Sequence, residues 1–186
     1  MNYPGRVVIF ASLLPLGLGG CQSRSSSFVD AMSAYRGEGA IEDTTVRSLY
    51  IVAPGFRITL PPMMPAPNRE YVFHLNNLPT TRHKELGLCL QLEPRIDLRA
   101  HASKVALSLE LRDANGSTIY QHSGISATHA EKVRYSKYWD DHTWVFGAPY
   151  CPYLGGESYT LHVRYSTTDP AFAPELVLIA WSGGFL

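Results

Sequence analysis

The most regular pattern in this chain is an alternation of period two. In "ELGLCLQLE", Leu86, Leu88, Leu90 and Leu92 fall on one face of an extended strand, with Gly87, Cys89 and Gln91 on the other. "KVALSLELRDANGSTIYQH" repeats the pattern with Val105, Leu107, Leu109 and Leu111, followed by a turn over Asp113–Gly116. Asn115-Gly116 supplies the positive backbone angles that a tight hairpin turn requires, so this stretch predicts a hairpin. "EYVFHL" sets Tyr71, Phe73 and Leu75 against Val72 and His74, and "ESYTLHVRYS" places Tyr159, Leu161, Val163 and Tyr165 on one face. "PELVLIAWSGG" is apolar on both faces, as a central strand would be. "RSLYIVAPGFRITLPP" gives two short apolar runs broken by Pro54-Gly55 and stopped by Pro61-Pro62, and "PPMMPAPN" is an extended connection. "KVRYSKYW" and "HTWVF" read as aromatic strands or strand edges. A helical spacing occurs at Phe28, Ala31, Met32 and Tyr35, predicting a short helix over Phe28–Arg36 that Gly37 and Gly39 end.

Many strands spaced by turn signals, with almost no helix, argue for an all-β fold. The expectation is an antiparallel β-sandwich of about eight strands, jelly-roll-like or C2-like, behind a short N-terminal helix. No internal repeat is visible. The chain holds 16 Lys+Arg against 16 Asp+Glu and clusters neither sign, which argues against nucleic acid as a partner. At 45% apolar and 17% charged residues it can bury a core.

The first residues follow a different pattern. Met1–Arg6 is short and positively charged, Val7–Leu18 is apolar, and Gly19–Cys21 is small. That is the layout of a secretory signal peptide. Its apolar zone is far short of the ~20 residues that a spanning helix needs. Leu18-Gly19-Gly20-Cys21 resembles the lipobox of bacterial lipoproteins. The resemblance implies a diacylglycerol on the Cys21 sulfur, cleavage between Gly20 and Cys21, and acylation of the new N-terminus. Two or more acyl chains make membrane residence stable where one does not. Gln22, in the sorting position, implies the outer membrane, facing the periplasm. On this reading residues 1–20 are the signal peptide, 21–27 a polar lipidated tether, and 28–186 a single domain. With Cys21 committed to lipid, Cys89 and Cys151 remain as an even pair in an oxidising compartment, and a disulfide between them is expected.

Signatures of chemistry are sparse. There is no Gly-x-Ser-x-Gly and no phosphate-binding glycine loop, and the seven histidines show no His-x-His or His-x-x-x-His spacing. His74 and His162 fall on the polar faces of their strands, where solvation is the ordinary state. No cofactor and no catalytic residue is therefore expected, beyond the covalent lipid. The densest polar group is Asp140-Asp141-His142 in "YSKYWDDHTW". Two carboxylates and an imidazole could hold a metal or act as acid and base, but neighbours on an extended chain point apart, and a strand-joining turn explains them more simply. Tyr135, Tyr138, Trp139, Trp144, Phe146, Tyr150 and Tyr153 surround that group. Some belong to a core; others, near turn signals, suit a binding surface, because Tyr and Trp anchor protein interfaces and stack on sugar rings.

The leading expectation is a non-enzymatic periplasmic lipoprotein whose sandwich binds another protein, with Tyr138, Trp139, Asp140, Asp141, His142, Trp144, Tyr150 and Tyr153 as its surface. One specific version is an immunity protein that neutralises a delivered toxin. The alternatives are carbohydrate or peptidoglycan binding through the same loops, an envelope-assembly or structural role, and a hydrolase or metal enzyme built on Asp140, Asp141 and His142.

Overall fold

The computed structural model describes residues 23–47, 49, 52–81, 85–94, 96, 100–124, 143–145, 151–152 and 157–183. In it the leucine-rich alternations become the inner strands of two antiparallel sheets. After α1 (Ser23–Ser33), the strands are β1 (Ala40–Asp43), β2 (Val46–Arg47), β3 (Val52–Ala53), β4 (Phe56–Thr59), β5 (Glu70–Leu75) and β6 (Glu85–Glu93). They continue as β7 (Val105–Arg112), β8 (Thr118–Ser123), β9 (Thr143–Val145), β10 (Cys151–Pro152), β11 (Tyr159–Thr167) and β12 (Glu175–Ser182). Sheet one runs β1-β4-β12-β6-β10 with β9 also paired to β6; sheet two runs β5-β11-β7-β8; β2 and β3 form a separate ribbon.

The pairing is that of a jelly roll, in which a chain folds at its midpoint so that outer strands pair in sequence inward. Here β4 pairs β12, β5 pairs β11, β6 pairs β9 and β10, and β7 pairs β8. Rolling those pairs together adds β12 to β6 and β11 to β7. The expected antiparallel sandwich is therefore present, in its jelly-roll form. β1 and β2 lie outside the expected set, whereas β3 falls within the apolar run that precedes Pro54-Gly55. β1 is short and edge-bound, and its cross-strand partner Arg57 donates to Glu42 Oε1 at 2.6 Å.

One core fills the space between the sheets. Phe56, Ile58, Leu86, Leu90, Leu92, Leu176 and Leu178 from sheet one meet Leu75, Leu109, Leu111, Leu161, Val163 and Tyr165 from sheet two, and all are essentially fully buried. Apolar burial of this kind contributes roughly 25 cal/mol for each Å² removed from water, and it fixes which face of each strand turns inward. Tyr165 donates its hydroxyl to Pro174 O at 2.8 Å, and burial pushes its pKa up to about 12.

Two expectations need correction. The helix runs Ser23–Ser33, not Phe28–Arg36, so it takes in residues assigned to the tether. Its early end has a cause: Arg36 N donates to Asn76 O and Glu38 N to His74 O, so this segment is drawn onto the edge of β5. Cys89, expected in a bridge, carries a free and fully buried thiol that donates to Ile179 O at 3.6 Å; burial pushes its pKa up. The register shows why no Cys89–Cys151 bond forms. Cys151 stands opposite Leu86, three residues along β6 from Cys89. That is roughly 10 Å of strand, beyond the ~7 Å between Cα atoms that a disulfide tolerates. "HTWVF" yields β9, while "KVRYSKYW" lies outside the described residues.

Apolar packing extends to the outer face of sheet one, where Ile179 and Trp181 join Cys89 in burial. Trp181 stands opposite Gly87, and a Cβ on Gly87 would lie 2.5 Å from its indole. Gly87→Ala is therefore expected to destabilise the fold by about 1–3 kcal/mol, the usual cost of overpacking. Urea denaturation measures this, and an unchanged midpoint would contradict the packing of Trp181 on Gly87.

Candidate functional site

Burying the odd-numbered residues of β7 and β11 turns the even-numbered ones outward together. His162 stands opposite Glu110 on one side and Val72 on the other, and Thr160 opposite Arg112 and His74. The outer face of sheet two is thus a polar lattice set by strand register. Arg112 grips Glu110 with two bonds, Nε to Oε1 at 3.0 Å and Nη2 to Oε2 at 2.9 Å. Thr118 also donates its hydroxyl to Glu110 Oε1. Arg112 first, then Thr118, hold the Glu110 carboxyl down at about 2, from an ordinary 4.5. On the β5 side, Glu70 receives Arg164 Nη2 at 3.2 Å and faces His162 Nδ1 at 3.4 Å. The charges on this face are therefore largely paired with one another.

At one end of the lattice lies an open cavity of about 370 Å³, lined by Asn76, Arg112, Asp113, Ala114, Gly116, Ser158, Tyr159, Thr160 and His162. Such a volume is at the small end of the range for small-molecule sites, roughly 300–1,000 Å³. Its rim is the β7–β8 turn. Asp113 Oδ1 accepts the backbone N–H of Asn115 at 2.9 Å and of Ser117 at 2.8 Å, and Gly116 takes φ +81°, where a Cβ would be strained. The opposite wall is pinned by Asn76 Nδ2 donating to Arg36 O at 3.3 Å and by Leu78 N donating to Glu157 O at 3.2 Å. Asn77, at φ 57°, turns the chain between them.

The cavity offers hydrogen-bonding groups with fixed directions, and its guanidinium is already ion-paired. Arg112 spends Nε and Nη2 on Glu110, and Asp113 is satisfied on one oxygen by two backbone N–H groups. Thr160, Ser158 and Asn76 add hydroxyls and an amide. Among the described residues no group of three or more His, Cys, Asp or Glu side chains could hold a metal ion.

The residues singled out from sequence are mostly elsewhere. Gly20, Cys21, Tyr138, Trp139, Asp140, Asp141, His142, Tyr150 and Tyr153 lie outside the described residues. Trp144 is on β9 opposite Leu90, and Cys151 is on β10. Conversely, Asn76, Arg112, Asp113, Ser158 and Thr160 carry no local motif. The alternation places Arg112, Thr160 and His162 on polar faces, but only the β7–β11 register brings those faces together.

No protein-family model matches this chain, and no curated protein matches it. Among solved structures it is similar to one described as TmCBM61 in complex with beta-1,4-galactotriose, at 12% sequence identity, covering 82% of this chain and 88% of that one, with a TM-score of 0.28. At that distance the likeness carries no weight for what this chain binds.

The Glu110–Arg112 pair has a measurable signature. Because the folded carboxyl titrates below its ordinary range, its contribution to stability is complete at neutral pH and is lost as pH falls toward 2. In Arg112→Gln, the Glu110 carboxyl is expected to titrate at higher pH, read by NMR of its side-chain carbon. An unmoved titration would show that Arg112 is not the cause.

Proposed function

We propose that this chain is a lipid-anchored envelope protein whose jelly-roll domain is a binding module, with an uncharged saccharide held in the cavity at the end of sheet two. The observation that supports this most is that the guanidinium lining the cavity is already bound by Glu110, while the Asp113 carboxylate is held by two backbone N–H groups. A site that recognises an anion keeps a cation available for it. Here Glu110 takes up the guanidinium of Arg112, and Arg164 and His162 face Glu70. What is left for a ligand is a set of oriented donors and acceptors, which suits hydroxyl groups. The aromatic surface expected for a protein partner, and the immunity role built on it, rest on residues 138–153, most of which lie outside the described structure.

The lipobox-like Leu18-Gly19-Gly20-Cys21 supports the anchor. α1 begins at Ser23 and packs by Phe28 and Met32 against the core. An acylated Cys21 would hold the sandwich close to the bilayer, within reach of envelope glycans.

Two experiments bear on this reading. Cys21→Ser is expected to move the protein from the membrane fraction to the soluble periplasmic fraction; continued membrane association would refute the anchor. For the cavity, the domain should co-sediment with purified cell-wall sacculi and bind soluble glycan fragments in calorimetry. Thr160→Val should weaken binding about fivefold, the equivalent of ~1 kcal/mol, by removing a hydroxyl that lines the cavity. Raising salt should change the affinity little, since no ion pair with the ligand is broken. Absence of binding to every glycan tested, or a steep salt dependence, would overturn the saccharide assignment.

A further inference from the structure

The cavity is lined by a histidine whose two ring nitrogens meet different surroundings. His162 sits in the middle of β11 with its side chain 18% exposed. Its Nδ1 is sealed from solvent and makes no hydrogen bond, yet Glu70 Oε2 lies 3.4 Å away. Arg164 Nη2 holds the other oxygen of Glu70, Oε1, at 3.2 Å, which leaves Oε2 turned to the imidazole. On the β7 side His162 stands opposite Glu110, which Arg112 and Thr118 already bind. On the β5 side its direct partner is Val72, and His74 follows one pair further on, opposite Thr160. Asp113, across the cavity, is tied on Oδ1 by backbone N–H groups, and Glu157 accepts the Tyr159 hydroxyl at the head of β11.

Charge decides how this ring presents itself. A lone pair on Nδ1 would face a carboxylate oxygen, so the neutral ring keeps its proton on Nδ1 and carries an acceptor on Nε2. Nε2, unlike Nδ1, is open, so it is the nitrogen that a molecule in the cavity can reach. Uptake of a proton makes both nitrogens donors. Nδ1–H can then close on Glu70 as a charge-assisted bond, and Nε2 turns from an acceptor into a charged donor. A ligand hydroxyl suits either state, because it both donates and accepts. Its bond to the charged donor is about twice as strong.

We propose that His162 is the proton-sensitive ligand contact of this cavity and that Glu70 is the residue that positions it. The inference rests on the saccharide reading for the identity of the ligand, but not for the proton-linked change in the cavity wall. Because the charged ring holds an uncharged ligand more tightly, ligand and proton favour each other's binding. Affinity therefore rises as pH falls through the histidine range, and levels off once the ring is charged in both free and bound protein. Neither Glu110, whose carboxyl is held down at about 2, nor Arg112 changes charge over that range.

The test has two arms. In the first, NMR follows the His162 ring and the cavity amides of the ligand-free full chain from about pH 8 to about pH 5. The amides of Asn76 and Thr160 are expected to shift together with the wild-type ring. In Glu70→Gln the ring should titrate at lower pH, because the carboxylate that favours the imidazolium is gone. In the second arm, calorimetry measures binding of soluble cell-wall glycan fragments. The wild type should bind about fivefold more tightly at about pH 5 than at about pH 8, and His162→Gln equally at both. A ring that titrates identically in Glu70→Gln, cavity amides that ignore the ring, or a wild-type affinity equal at both pH values would each overturn the proposal. Glycans that bind at neither pH would overturn the saccharide reading alone, with the first arm still deciding this one.

Discussion

The insertion of the last two strands into the middle of the two sheets is the constraint on which the rest of this molecule depends. β11 lies between β5 and β7, and β12 lies between β4 and β6. Neither sheet is continuous without its late-arriving central strand, and each pairing joins residues far apart in sequence. Such contacts must repay a large loop-closure entropy, which the buried residues along both strands supply. Leu161, Val163, Tyr165, Leu176, Leu178 and Ala180 are all fully buried.

The same insertion creates the candidate site. When β11 docks with its odd-numbered side chains inward, Thr160, His162 and Arg164 are presented outward between Glu70 on β5 and Glu110 and Arg112 on β7. Asn76 and Ser158 approach because β5 ends beside the start of β11, where Leu78 N bonds Glu157 O. Core burial and the polar lattice are thus two faces of one register. A slip by one residue would bury Arg112 and His162 and expose Leu111 and Leu161. The paired charges on the outer face make that slip still more costly, since each pair would have to be buried or broken.

Much of the fold could be read from sequence, for identifiable reasons. β6, β7, β11 and β12 are long enough for alternation or continuous apolarity to show, and Asn115-Gly116 marks the β7–β8 turn directly. β1 and β2 could not be read, because strands of two to four residues owe their form to partners such as Arg57 and Ala53 rather than to local pattern. The helix boundary shifted because Arg36 and Glu38 pair with the edge of β5, a contact some forty residues away. Strand parity placed Cys89 off the main core face, as found, but parity says nothing of where along β6 Cys151 would pair. The cavity drew no local signal either. Its residues come from around 76, 112–116 and 158–162, and only the registers of β5, β7 and β11 bring them together.

The proposal that ties these features together is that the register-built polar cavity of sheet two is where a neutral glycan binds. Its most direct test is residue-level mapping of amide NMR shifts while a soluble cell-wall glycan is titrated into the protein. Changes centred on Asn76, residues 112–116 and residues 158–162 are the expected result. Changes confined to residues 138–153, with the cavity amides unmoved, would contradict it.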